Sequence, residues 1–256
     1  TTIALDSDFD ACQALVKTAL SDNDLNQQFE ITTANSINIG RLLPQAAYYA
    51  YSSAKYASEH NREANIVVPS GNLGNVTACC WAKAMGSPIN RIAIAQNENK
   101  TVVNYLETGE MRAQATITTL ANAMDVGSPS NFMRLQSLYP SHSQFCQSIH
   151  ADYVSDQDIK NTIVRAYDSH DAIICPHTAT AVALLPQLEK VAPHWLIAAT
   201  AHPGKFETVI EPLIQHTIQL PAYFIDQLNR PNISYPLADN YSLLKDVLLN
   251  SKQPCS

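Results

Sequence analysis

A β-branched run that stops at a proline, a loop with two glycines and a helix that closes on a glycine leave few folds open. Ile66-Val67-Val68-Pro69 reads as the strand, Ser70-Gly71-Asn72-Leu73-Gly74-Asn75 as the loop, and Val76 to Gly86 as the helix with its stop. Gly71 and Gly74 let the main chain turn tightly and approach a ligand without a Cβ in the way. The first helical N–H groups have no intrahelical partner, so they suit a phosphate. Ser70, Asn72 and Asn75 offer further side-chain donors, and the loop contains no carboxylate to repel an anion. It also contains no lysine, which suits a permanent phosphate handle better than a phosphoryl group in transfer. The loop is neither a Walker loop nor the dinucleotide GxGxxG pattern. Taken alone, it is also compatible with an ordinary strand-to-helix turn and its cap.

With 256 residues the chain is long enough for one large or two modest domains, burying roughly 70–75% of its unfolded surface. Hydrophobic residues make up 46% and charged residues 15%, the balance of a globular protein and not of a disordered one. A net charge of -7 without basic clusters argues against nucleic acid as a main partner. No apolar run approaches a membrane span. Cysteines at 12, 79, 80, 146, 175 and 255 lack CxxC spacing, which supports neither a metal site nor a disulfide framework and fits a reducing, cytoplasmic setting. Adjacent Cys79 and Cys80 lie on the helix after the loop and read as small buried apolar residues. The start has neither a signal peptide nor an initiator methionine, and Thr2-Ile3-Ala4-Leu5 already reads as a strand. The chain is therefore expected to begin mid-fold.

In order, Asp8 to Leu20 has helical spacing with acidic residues in its first turn, and polar Ser21 to Gln28 breaks the pattern. The apolar segment Leu42 to Lys55 follows, with Pro44 either near a helix start or at a kink. Its Tyr48, Tyr49, Tyr51 and Tyr56 read as packing surface. Asn90 to Ala95 is the next strand and completes a right-handed strand-helix-strand unit, so a parallel sheet is expected. Ligands of such sheets collect at the carboxyl ends of the strands, where Ser70 to Asn75 and Gln96-Asn97-Glu98-Asn99 both emerge. Helices are expected over about Thr101–Glu107, Pro129–Leu138 and Asp156–Tyr167, the last capped by Ser155. The polar stretch Gly109 to Ser130 is long enough to suggest a functional loop. Two further strands, Ala172–Cys175 and Trp195–Ala199, lead into Pro176-His177 and into Thr200-Ala201-His202-Pro203-Gly204-Lys205-Phe206. The tail from Leu220, with prolines at 221, 231, 236 and 254, reads as loop with one helix near Ser242–Leu249.

Three segments are more specific than a generic sheet: Asn35-Ser36-Ile37-Asn38 with Arg41 and Tyr48-Tyr49, the Pro69–Asn75 loop with Asn97-Glu98-Asn99, and Thr200–Phe206. Together with Ala123-Met124-Asp125 and Ser130–Leu135, they make the chain resemble the threonine synthases of bacterial type over nearly its whole length. The resemblance implies an α/β fold, a three-layer open parallel sheet of pyridoxal phosphate fold type II, the tryptophan synthase β class. It implies conversion of O-phosphohomoserine and water to threonine and phosphate. Residues 1–256 then represent the carboxyl-terminal portion of such an enzyme, with 1–35 at the boundary to the amino-terminal part.

Carried over by residue, Ser70, Gly71, Asn72, Leu73, Gly74 and Asn75 match the loop that holds the cofactor phosphate, and Thr200 matches the residue beside the pyridine nitrogen. A threonine there leaves the ring largely neutral, whereas a carboxylate would protonate it. The family's Schiff-base lysine sits in a Phe-Lys-Asp segment that does not occur here, so no catalytic residue is assigned in this chain and the lysine is expected upstream of Thr1. Lys205 is not the matching position. Without that lysine the chain alone is expected not to catalyse. Asn75 stands where many bacterial members have aspartate, and Cys175 where an acid commonly precedes Pro-His. His177 and His202 read as structural or supporting groups, and Arg41, Arg112 and Arg134 as candidates for the substrate phosphate by charge alone. The rival readings are a non-catalytic module that binds a phosphorylated ligand or a partner half, and another type II enzyme such as a serine or threonine dehydratase. Asn35–Asn38 and Thr200–Pro203 favour threonine synthase over the dehydratase.

Overall fold

The structure, a computed structural model, describes residues 2–228 and 230–250. The chain divides into two compact units, one built from 1–38 with 220–256 and one from 39–219.

The smaller unit opens with β1 (Ile3–Leu5), α1 (Phe9–Ser21) and α2 (Asn23–Gln28). Asp8 caps α1, its carboxylate accepting from Ala11 N at 2.8 Å. The polar stretch expected to break the helical pattern instead contains α2. Asp22 Oδ1 accepts from the amides of Asp24 and Leu25 at 2.8 and 3.2 Å, and Leu25 is fully buried. A cap and a single buried anchor suffice for so short a helix.

The larger unit contains α3 (Ile39–His60), β2 (Ala64–Pro69), α4 (Gly74–Ala84), β3 (Ile89–Gln96), α5 (Thr101–Thr108), α6 (Phe132–Leu138), α7 (His142–Ser148), β4 (Ile149–Tyr153), α8 (Asp156–His170), α9 (Pro176–Leu188), β5 (Trp195–Ile197) and α10 (Glu207–Ile214). Its strands form one parallel sheet in the order β4-β3-β2-β5. Alternate residues enter two cores: Ile66, Val68, Ile92 and Ile94 pack with Ala46, Tyr49 and residues of α4 to α7, whereas Val67, Ala93 and Ala95 pack with residues of α8, α9 and α10. This is a three-layer α/β arrangement, and every residue of β2 is buried, as a central parallel strand requires. Cys79 and Cys80 are buried in the first core, and burial pushes the Cys80 thiol up to about 12.

Several expectations change here. Among the described residues Ala172–Cys175 pairs with no strand: Ile173 and Ile174 pack half-buried on the second core, and Cys175 caps α9. A short apolar run specifies burial but not a ladder partner. The helix expected from Pro129 starts at Phe132, and α7 and β4 were not anticipated. The Ser141–Gln144 capping box was the readable signal for α7. Pro44 lies inside α3 and does not start it. Of the tyrosines, Tyr49 is buried and Tyr56 packs partly, but Tyr48 and Tyr51 are 65% and 71% exposed, because successive helical residues point about 100° apart.

The smaller unit is completed by α11 (Ala222–Leu228), β6 (Tyr235–Leu237) and α12 (Tyr241–Asn250), so the tail holds more than the one expected helix. β6 pairs in parallel with β1, Ile3 opposite Tyr235. Tyr241 donates to Asp22 Oδ2 at 2.5 Å, and Lys245 Nζ lies 2.8 Å from both Asp22 and Asp24. Pro254 and Cys255 lie outside the described residues. Among the described residues no helix is long and apolar enough to cross a membrane.

Candidate functional site

Parallel strands bring their carboxyl ends to one rim, and the candidate residues follow from that. The Ser70–Asn75 loop leaves β2, Asn97-Glu98-Asn99 leaves β3, and Thr200 follows β5. Val67 pairs with Ile197, so Ser70 and Thr200 each lie three residues beyond paired positions on adjacent strands. Thr200 is exposed.

Ser70 is buried, and its amide donates to Ala95 O at 3.1 Å, which ties the loop to β3. A Cβ on Gly71 would lie 2.5 Å from Met124 Cα and 2.7 Å from its carbonyl oxygen, so the site admits only glycine without backbone movement. The left-handed backbone falls on neither loop glycine. It falls on Leu73, at φ 61° and ψ 7°, whose side chain is fully buried. Leu73 is the N-cap of α4 and makes no side-chain cap hydrogen bond, and the first turn of α4 holds no acidic residue. The helix thus presents its first amides uncapped by a side chain, with the positive end of its dipole unopposed.

The two asparagines partly serve the protein itself. Asn72 Oδ1 accepts from Ser130 N at 2.7 Å and from Ser130 Oγ at 3.0 Å, while Asn72 O accepts from Asn131 Nδ2 at 2.9 Å. Asn75 Oδ1 accepts from Tyr49 OH at 2.5 Å. Tyr49, Met124, Ser130 and Asn131 are the loop's supports. The sequence carried them only within segments of the family resemblance, without a signal for these contacts.

The long polar loop is ordered around a second asparagine motif. Asn97 Nδ2 donates to Thr119 Oγ1 and to Asp125 Oδ1, both at 2.7 Å, and Asn99 Nδ2 donates to Ile117 O at 2.8 Å. Asp125 Oδ2 accepts from Thr119 N at 3.0 Å. Burial pushes the Asp125 carboxyl up, against the downward pull of donors from Thr119 and Asn97. Gln96 Oε1 accepts from Val102 N at 2.8 Å and so caps α5. His177 Nε2 accepts from Ala123 N at 3.1 Å, in the short 3-10 turn Asn122–Met124 whose backbone covers Gly71.

Other candidates stand apart from the loop. His202 Nδ1 accepts from Gly204 N at 3.1 Å and caps the Pro203–Lys205 turn, on which Lys205 is exposed. Arg112 is exposed and paired with Glu110, Arg41 is exposed, and half-buried Arg134 bonds Asn131 Oδ1. Arg134 is linked to the loop through Asn131, whose Nδ2 donates to Asn72 O. Lys83 Nζ binds Asn90 O at 2.6 Å, and Lys100 Nζ sits 4.1 Å from the centre of the Tyr153 ring. Chemically, the rim offers a cluster of main-chain N–H donors for an anion and, one strand away, a hydroxyl.

A family model described as "Pyridoxal-phosphate dependent enzyme" matches residues 1–195. The chain is 36% identical over 250 residues to a threonine synthase of Haemophilus influenzae, covering 98% of this chain and 59% of that protein. Over 248 residues it is 37% identical to one from Serratia marcescens, with 97% and 58% covered. The crystal structure of threonine synthase from Escherichia coli superposes with a TM-score of 0.90 at 36% identity, covering 98% of this chain and 58% of that one. A threonine synthase from Brucella melitensis described as PLP-bound superposes with a TM-score of 0.81 at 26% identity. The chain thus spans less than two thirds of the length of these relatives.

Proposed function

Because the chain belongs to the family of pyridoxal-phosphate dependent enzymes, we propose that residues 1–256 are the carboxyl-terminal portion of a threonine synthase. The whole enzyme converts O-phospho-L-homoserine and water to L-threonine and phosphate, with the larger unit supplying the pyridoxal 5'-phosphate site. The observation that carries this reading is the uncapped amino end of α4, reached through a loop that is free of negative charge and braced by backbone from Met124. A phosphate monoester dianion fits that donor set.

In this reading Ser70, Gly71, Asn72, Leu73, Gly74 and Asn75 hold the cofactor phosphate, and Thr200 offers its hydroxyl to the ring nitrogen. When bound, the cofactor supplies an electron sink for carbanion chemistry at the substrate. A neutral hydroxyl at Thr200 leaves the ring nitrogen without a carboxylate's charge, and the loop amides fix the phosphate end while substrate is exchanged. The catalytic lysine lies outside this chain, so the remaining portion of the enzyme is its first partner. The setting is the cytoplasm, whose reducing conditions suit the free cysteines Cys12, Cys79, Cys80, Cys146 and Cys175.

The test is product analysis with O-phospho-L-homoserine. The longest native polypeptide containing these residues is expected to release threonine and phosphate in equal amounts. Ammonia and a 2-oxo acid formed from L-serine or L-threonine, with no phosphate released from O-phospho-L-homoserine, would identify a dehydratase. The isolated 256-residue chain is expected to form no threonine, and turnover by it would refute the placement of the lysine elsewhere.

A further inference from the structure

Outside the loop itself, a buried histidine touches the turn that closes it. His177 is 3% exposed, and burial pulls its imidazole down to about 4, so it is neutral at physiological pH. Nε2 accepts from Ala123 N at 3.1 Å, which puts the ring proton on Nδ1. That Nδ1 is buried and has no hydrogen-bond partner among the described residues. Its ring also packs edge-on against Phe206, with centroids 4.9 Å apart. A core filler would not need this arrangement, since an apolar side chain would avoid an unpartnered buried donor. What the imidazole uniquely supplies is the acceptor for Ala123. The next residue, Met124, contributes the backbone that lies against Gly71.

We propose that His177 is a positioning residue for the phosphate loop. It anchors the Asn122–Met124 turn through Ala123 N, and that turn, pressed on Gly71, sets the shape of the Gly71–Asn75 cradle. The proposal rests on the reading of this loop as the cofactor's phosphate site. It asks for no contact between His177 and the cofactor.

The experiment compares binding of pyridoxal 5'-phosphate and of pyridoxal, which lacks the phosphate, to the cofactor-free form of the longest native polypeptide containing these residues, by equilibrium dialysis. The variants are His177→Gln, whose amide oxygen can replace Nε2, and His177→Asn and His177→Leu, which cannot reach Ala123. Amide hydrogen exchange at residues 70–75 and 121–125 is read in parallel without ligand. His177→Asn and His177→Leu are expected to weaken pyridoxal phosphate binding about tenfold, the scale of one buried hydrogen bond, and to leave pyridoxal unchanged. They should speed exchange in both segments, while His177→Gln stays within about threefold of wild type on every readout. The proposal is overturned if His177→Asn keeps wild-type phosphate selectivity, if it leaves exchange at 70–75 unchanged, or if His177→Gln is as impaired as His177→Asn. A wild-type chain that binds both compounds equally would refute the cofactor reading itself. The exchange data would then still decide whether His177 shapes the loop.

Discussion

Replacing Gly71 with alanine is expected to damage both stability and phosphate binding, for a reason measurable in the structure. The added Cβ would lie 2.5 Å from Met124 Cα, whereas ordinary contacts begin at 3.4 Å. The loop and the turn must therefore part by about 0.9 Å (3.4 − 2.5), and both sides of the contact are backbone, which has no rotamer to change. Overpacking of this kind costs about 1–3 kcal/mol. A shift near 1 Å in the loop also takes its amides out of hydrogen-bond geometry with a bound phosphate. The assay is urea unfolding together with the ratio of pyridoxal phosphate to pyridoxal affinity. Gly86→Ala is the control: Gly86 has φ +96° and nothing within 4 Å of a built Cβ, so that variant should lose about 1 kcal/mol and no phosphate selectivity. If Gly71→Ala unfolds at the wild-type urea concentration and keeps its phosphate preference, the packing of Met124 on Gly71 does not shape this site.

Leu73→Gly relieves a left-handed leucine, worth about 1–2 kcal/mol, but empties a fully buried side chain worth about 2–5 kcal/mol, so net destabilisation is expected on urea unfolding. Asp125→Asn replaces an acceptor with a donor in a cluster where both carboxylate oxygens accept, so Thr119 N or its neighbours lose a partner at about 1–3 kcal/mol, visible as faster exchange over residues 117–125. In the smaller unit, hydrogen bonds from Lys245 and Tyr241 hold the Asp22 carboxyl well below the usual range. A lowered folded-state pKa contributes stability above the unfolded value of about 3.9 that is lost as pH falls below it. Exchange in α12 should therefore accelerate on acidification below about pH 4, and Asp22→Asn should abolish that acid response.

The residues around Ser70–Asn75 show how far local pattern reaches. The apolar run of β2, the loop glycines and the periodicity of α4 specify strand, turn and helix from steric and hydrophobic rules acting between near neighbours in the chain. The burial of Cys79 and Cys80 and the cap of α8 by Ser155 are equally local and were legible for the same reason. Strand partners were not. Ala172–Cys175 has strand composition yet joins no strand among the described residues, while Ile149–Tyr153, with a histidine and an aspartate in it, completes the sheet edge, and Tyr235–Leu237 finds β1 from the opposite end of the chain. Only tertiary structure placed the left-handed backbone on Leu73 and made Asn72 an acceptor for Ser130. It also joined His177 to Ala123, 54 residues away. Such contacts depend on which surfaces the folded layers bring together, and neither periodicity nor propensity encodes that choice. The chain alone thus determined the parts of the Ser70–Asn75 loop, and packing decided which remote residues hold it in shape.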